Sequence, residues 1–250
     1  MKNYLFFVFY ILFRPSLFFL FLKHVHIPAY LQYEWLKIFK QYNIKTVIDV
    51  GANRGYVSKA LHYLLPNAII YAFEPIIEEL EYAKENIRSE KLVPVNMALS
   101  NKKGDSTFYI NDYSPASSFM PLSSSYKKEA KHLGRTKKIN VLTTTLDDFF
   151  KNKLLEKNIF LKIDTQGSEK LILTGGKKTL KKILIVEIET SFREQYKNQC
   201  YFEDIYAFLI LMNYVYIGNI SLSQFYPLFN LPYSENSVFV NKNLLSAKTF

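Results

Sequence analysis

Cysteine is nearly absent from this chain of 250 residues, in which Cys200 is the only one. A single thiol excludes an intramolecular disulfide and a zinc cluster built from cysteines, and nothing asks for an oxidising compartment. Internal repeats are absent too, and so is low complexity beyond Ser123, Ser124 and Ser125. Acidic residues are scarce beside basic ones, 22 against 32, for a net charge of +10. The excess is local. Before residue 46, Lys2, Arg14, Lys23, Lys37, Lys40 and Lys45 face only Glu34. Lys127, Lys128, Lys131, Arg135, Lys137 and Lys138 are opposed by Glu129, and Lys177, Lys178, Lys181 and Lys182 form a third group. Such groups are ordinarily solvated surface. RNA recognition adds stacking aromatics or a recognisable module, and neither is found, so nucleic acid is not the expected partner.

Aromatic residues, by contrast, are plentiful: 21 Phe and 19 Tyr, concentrated before residue 40. Residues 4–22 are an almost unbroken apolar run, interrupted by Arg14-Pro15. As a helix it would be about 28 Å long, close to the hydrocarbon thickness of a bilayer. A central arginine costs about 3 kcal/mol on insertion, and the proline kinks a helix, so a shallow or re-entrant element fits as well as a span. No small-residue cleavage site follows, which argues against a signal peptide. The run lacks the polar face of a core helix, so residues 1–28 are expected to associate with a membrane surface through residues 4–22. The flanking lysines suit the anionic inner face, which makes the expected location cytoplasmic at that face.

The remainder, residues 29–250, reads as one α/β domain. Apolar residues recur at helical spacing over 30–42. Strand, helix, strand, helix and strand then follow at 46–50, 56–65, 68–73, 76–88 and 92–97, an order that predicts a mostly parallel sheet with helices on both faces. Strands at 106–110 and 139–143 enclose a polar insertion of about residues 111–138. Alternation resumes with a strand at 159–163, a helix at 169–180, a strand at 183–188 and a helix at 202–212. Strands at 214–217 and 237–240 lack a helix between them, which predicts an antiparallel C-terminal pair.

The chemistry-bearing motif is Val47-Ile48-Asp49-Val50-Gly51-Ala52-Asn53-Arg54-Gly55, a strand ending in a small-residue turn that opens a helix. This is how an open α/β sheet makes a ligand crevice. Gly51 and Gly55 permit a tight turn, but Asn53 stands where a dinucleotide fingerprint has its second glycine, and a third is missing. That disfavours a pyrophosphate and a nicotinamide dinucleotide. It suits a smaller ligand, with Asp49 accepting from an ammonium or from loop amides. Glu74 follows the second strand at about the twenty-residue spacing of a ribose-binding carboxylate. Capping of the next helix is the other reading, although Glu is not a favoured N-cap.

Together with Phe73-Glu74-Pro75, the segment Val95–Ser100, Thr145-Leu146-Asp147-Asp148 and Leu161-Lys162-Ile163-Asp164-Thr165-Gln166-Gly167-Ser168-Glu169, this motif resembles the FkbM-type methyltransferases. The resemblance runs from about Thr46 to about Asn219. It implies a Rossmann-like class I methyltransferase sheet, S-adenosylmethionine as cofactor, and transfer to a hydroxyl of a sugar, glycan or natural product. It implies further that Asp49, Gly51, Asn53 and Gly55 hold the methionine end, that Glu74 holds the ribose, and that Asn96 to Ala98 lie near the adenine. Ser117-Ser118 resembles a serine pair of the family's insertion, which makes Ser118 a candidate substrate residue.

Asp164, at a strand end facing the same crevice, could contact the donor's amino group, act as general base or bind a metal. It is the first candidate to take the acceptor's proton, and no compact metal-ligand motif accompanies it. Glu169 is either a site residue or a helix-dipole charge. Glu187 and Glu189 alternate onto one face, and Glu187 is a candidate for the substrate cavity. His132 reads as a solvated loop residue. Two other classes compete: an RNA methyltransferase using the basic groups, and a non-catalytic, membrane-recruited cofactor-binding module.

Overall fold

The computed structural model describes residues 14–220 and 232–245. Its main sheet takes the order β3-β2-β1-β7-β8-β10-β9. The parallel strands are β1 (Thr46–Val50), β2 (Ile69–Phe73), β3 (Leu92–Val95), β7 (Ile159–Ile163) and β8 (Ile183–Ser191). The last strand in chain order among the described residues, β10 (Ser234–Asn241), lies antiparallel between β8 and β9 (Tyr214–Ile220), the expected C-terminal pair. A second, three-stranded sheet joins β4 (Ala98–Leu99), β6 (Thr136–Thr144) and β5 (Gly104–Asn111). The strand expected at 92–97 thus divides at Asn96, and its continuation pairs with β6 instead.

Strand alternation builds two cores, one on each face of the main sheet. On one face Ile48, Val50, Leu161, Ile163, Val186 and Ile188 pack with helix residues Leu146, Phe150, Ile172, Leu180 and Leu209. These come from α6 (Leu146–Phe150), α7 (Glu169–Thr174), α8 (Lys177–Leu180) and α9 (Phe202–Leu211). The helix expected at 169–180 is two helices, because Gly175-Gly176 interrupts it. On the other face Val47, Phe160, Leu184 and Val238 pack with Tyr33, Leu36, Phe39 and Leu61. Here lie α2 (Ile27–Tyr33), a 3-10 helix (Glu34–Tyr42) and α3 (Tyr56–Leu64). The single helix expected over 30–42 therefore starts earlier, capped by His26, and tightens to 3-10 after Tyr33. The fourth helix in this region, α4 (Ile77–Ile87), meets α3 and β3. The insertion is more ordered than a polar loop, since it carries α5 (Ser124–Glu129) and two 3-10 turns.

The expected boundary at residue 29 falls inside α2, and packing crosses it. The first helix, α1 (Pro15–Leu22), buries Leu17 and Leu20, and with Val25, Ile27 and Ala29 these close over Ala60 and Val57 of α3. Pro15 opens this helix in its first turn, where its missing N–H costs nothing. The outer face of α1 is also apolar, with Phe18, Phe19, Phe21 and Leu22 between 41% and 58% exposed. Among the described residues no helix is long and apolar enough to cross a membrane. Residues 4–13 of the apolar run lie outside the described residues.

Two outcomes follow from this packing. A chain beginning at Ala29 should aggregate or lose cooperative unfolding, because it uncovers Ala60 and Val57. The substitution Leu20→Ala should cost about 2–4 kcal/mol by denaturant melting, the range for emptying a buried leucine site. A monodisperse, equally stable truncated chain would show that α1 contributes nothing to the fold.

Candidate cofactor cleft

Five stretches of chain converge at the carboxyl ends of the parallel strands. The cleft is lined by Val50 to Arg54 after β1, Glu74 to Ile76 after β2, Met97 to Leu99 after β3, Asp164 to Gln166 after β7, and Ser114, Pro115, Ser117 and Phe119 of the insertion. Strand order reverses between β1 and β7, which is where an open α/β sheet leaves room for a ligand.

Gly51 is at the crossing point. Its φ is +79°, and a Cβ there would stand 2.0 Å from the Asp164 carbonyl oxygen. The residue therefore lets the β1 and β7 loops touch, and it lines the cleft as expected. Gly55 does something else. A Cβ on it would meet Ala83 of α4 at 2.7 Å, and it does not line the cleft, so its role is packing of the loop on a neighbouring helix. Asn53 lines the cleft with φ +47°, and its Nδ2 donates to Ser114 Oγ at 2.8 Å, tying the cofactor loop to the insertion.

Glu74 is 4% exposed and lines the cleft. Its two oxygens accept from Asn53 N at 2.8 Å and Ile76 N at 2.9 Å, so it staples two loops together. Burial pushes its carboxyl up to about 7, against the opposing pull of those amides. Beside it Ile76, Met97, Ala98, Leu99, Phe108 and Phe119 make an apolar wall. Ala98 is part of that wall. Asn96 is not: it is exposed, and its amide donates to the carbonyls of Glu74 and Pro75 from outside, because the chain turns there to leave the main sheet.

Asp49 also departs from expectation. Its side chain is fully buried under the loop, accepting from Ser58 Oγ at 2.6 Å and ion-paired with Lys162 at 3.2 Å. Alternation explains this: Val50, one residue on, has its side chain on the opposite face and lines the cleft, while Asp49 does not. Lys162, read from the sequence only as part of a motif, is a buried cation of the site. It lines the cleft, with its ammonium 3.7 Å from Asp164 Oδ2. Burial works against its charge, but Asp49, Asp164 and Glu187 outweigh that and hold its pKa above the ordinary lysine value. A lysine inside an otherwise apolar strand was the signal available for it.

Asp164 lines the cleft and keeps 35% of its side chain exposed. Its Oδ1 accepts from Gln166 Nε2 at 2.8 Å. Gln166 was missed by sequence reasoning. Its φ is +59°, and its side chain also donates to Glu189 at 3.0 Å and accepts from Tyr196 at 2.9 Å. A strained residue gripped on all sides at a strand end is a common mark of a functional loop. Glu169 accepts from Thr165 N and Gly167 N and so shapes that loop from below. Ser118 is corrected: it is fully buried, donating to the Gln166 carbonyl at 2.6 Å, and Ser117 lines the cleft in its stead. Glu187 is corrected as well. It is 1% exposed, accepts from Tyr33 at 2.9 Å and lies beneath the cleft. His132 is exposed beside Tyr113.

The sheet order, the strand-end cleft and its acidic residue after β2 define a Rossmann-like class I methyltransferase fold. The family model for the methyltransferase FkbM domain matches residues 49–216, and the chain belongs to that family. The methyl donor of the family is S-adenosylmethionine. A 2-O-methyltransferase, NoeI of Sinorhizobium fredii (strain NBRC 101917 / NGR234), is 28% identical over 160 residues, which are 61% of this chain and 66% of NoeI. The crystal structure of methyltransferase FkbM from Methylobacillus flagellatus KT shares the fold with a TM-score of 0.50 at 12% identity, covering 79% of this chain and 44% of that one. The chain thus spans less than two thirds of the length of either relative.

The residues fit the donor. A buried carboxylate is available for ribose hydroxyls, apolar side chains for an adenine, and a Gly51–Arg54 loop for the amino-acid end. Glu74→Gln should weaken donor binding by about 1–3 kcal/mol, the scale for losing a partner to a buried polar group. Gly51→Ala should cost at least about 2 kcal/mol of stability, since it sets a strained φ and a backbone clash together. Calorimetry and thermal melting read the two effects, and unchanged values would remove either residue from the site.

Proposed function

We propose that the protein transfers the methyl group of S-adenosylmethionine to a hydroxyl oxygen of a sugar, on a glycan, a glycolipid or a natural product. One observation carries the reading: a single cleft holds Glu74 at its donor wall and a partly exposed Asp164 beside the insertion. The family assignment supports methyl transfer, and the similarity to NoeI, a 2-O-methyltransferase, supports oxygen as the acceptor atom.

When bound, S-adenosylmethionine supplies an electrophilic methyl on a sulfonium. The chain's own work is alignment, exclusion of water and removal of the acceptor's proton. Asp164 is placed for that last task. Gln166 holds one of its oxygens, and the Lys162 ammonium lies 3.7 Å from the other. The insertion, tied down through Asn53–Ser114, walls the cleft against solvent.

We also propose attachment to the inner face of the cytoplasmic membrane. The exposed Phe18, Phe19, Phe21 and Leu22 of α1 support it, as does the apolar sequence that precedes them. Lys23, whose ammonium sits 5.6 Å from the Phe19 ring centroid, would meet anionic headgroups.

The protein should bind S-adenosylmethionine and S-adenosylhomocysteine and not NAD. Incubated with labelled donor and fractionated cell-envelope extract, it should label a saccharide. Label in RNA, or none with any fraction, would sink the reading. Asp164→Asn should lower turnover on the labelled product by about 10²–10⁴-fold with donor affinity little changed. Full turnover would make Asp164 a spectator.

A further inference from the structure

One buried cation stands among more carboxylates than it neutralises. Asp49, Lys162 and Glu187 occupy matched positions on three adjacent parallel strands, Asp49 in register with Lys162 and Lys162 with Glu187. Their exposures are 0%, 4% and 1%. Lys162 is 3.2 Å from Asp49 and 3.7 Å from Asp164, and it has no comparably close ion pair with Glu187. Tyr33 reaches in from α2 and donates to Glu187 Oε1, while Oε2 is buried without a hydrogen-bond partner among the described residues. Ser58 of α3 donates to Asp49, and Val238 of β10 pairs with Glu187 from the far side. With every carboxyl group ionised, one positive charge faces two negative ones, Asp49 and Glu187, outside the cleft lining and a third, Asp164, that lines it.

That excess has a use. Donor and product of the proposed reaction differ by one methyl and one positive charge, since the sulfonium becomes a neutral thioether. We infer that the Asp49–Lys162–Glu187 row makes the cleft discriminate the cationic donor from its neutral product, and that Glu187 sets the size of the discrimination. The inference rests on the donor assignment made above. Lys162 and Asp164 line the cleft, so the row's field reaches a ligand there without any contact from Glu187. Glu187 is thus a positioning residue acting through charge. Burial pushes its carboxyl up to about 8, so its contribution is full above that pH and fades below it as the proton returns. A floor that attracts the donor and is indifferent to the product also favours exchange after each turnover.

The experiment compares affinities of the full chain for S-adenosylmethionine and S-adenosylhomocysteine by calorimetry, in wild type and Glu187→Gln, at about pH 9 and about pH 6.5. At the higher pH the variant should lose about five- to twentyfold in donor-over-product preference, the scale of a unit charge acting across several ångströms of protein. At the lower pH the two proteins should converge, and comparing them cancels the ligands' own titration. Tyr33→Phe, which removes the hydroxyl favouring the Glu187 carboxylate, should shift the preference the same way and serves if the first variant fails to fold. An equal loss for both ligands would make Glu187 merely structural and overturn the inference, as would an unchanged preference in folded variants. Failure of wild type to bind either nucleoside would overturn the donor assignment itself, a result distinguishable from both.

Discussion

The ion pair between Lys162 and Asp49 lies where the sheet is covered on both faces, and burial makes either charge intolerable without the other. Breaking such a pair from one side costs about 3–5 kcal/mol, because an uncompensated charge is left behind. The pair also fixes geometry. It joins the ends of β1 and β7, the two strands between which the order reverses, and Lys162 Nζ lies 3.5 Å from the Gly51 carbonyl as well. The cofactor loop and the Asp164 loop are therefore held in one register before any ligand arrives. Gly51 completes the arrangement by letting their backbones touch.

What the sequence made legible was periodic or punctuated. Short β-branched runs, the glycine turn after Val50 and the missing helix before Ser237 expose the sheet, its parallel sense and its antiparallel end. Gly51, Asn53, Glu74, Ala98 and Asp164 line the cleft because they lie at or just beyond strand ends, and strand ends make the crevice. The failures share a cause. Asp49, Asn96 and Ser118 each sit one residue from a cleft residue, and Glu187 is paired across the strands with one, Lys162, but the pleat or a turn keeps all four out of the lining. Motif position specifies a loop, whereas register specifies a side chain's direction, and only long-range pairing determines register. Gln166 and Tyr33 escaped for the same reason, since their partners lie 30 and 154 residues distant.

The N-terminal segment misled in a different way. Its lack of a polar face was read as incompatibility with a folded core, yet α1 is apolar on both sides because it has two environments. Leu17 and Leu20 meet α3, and the phenylalanines face outward. The same helix can complete the fold and offer a hydrophobic surface, so membrane contact and structural packing are not alternatives. His26, four residues beyond α1, has its ring tilted against Tyr56 at 5.2 Å between centroids, and Tyr56 lines the cleft.

Glu74 shows how a site can be organised and still be ready to bind. Both of its oxygens already accept from backbone amides, which fixes the carboxylate against two loops. Each oxygen retains a second lone-pair direction, so ribose hydroxyls can add to the existing bonds without displacing them. The rigidity matters because alignment is the larger part of methyl transfer, and a group held by the protein need not be ordered at the moment of binding. Asn53 has the complementary arrangement. Its backbone serves Glu74 and its side chain serves Ser114, so one residue in the left-handed region links donor wall and insertion. A glycine at that position would supply the backbone angle but not the amide that reaches the insertion, which is the physical sense in which this loop departs from a dinucleotide turn.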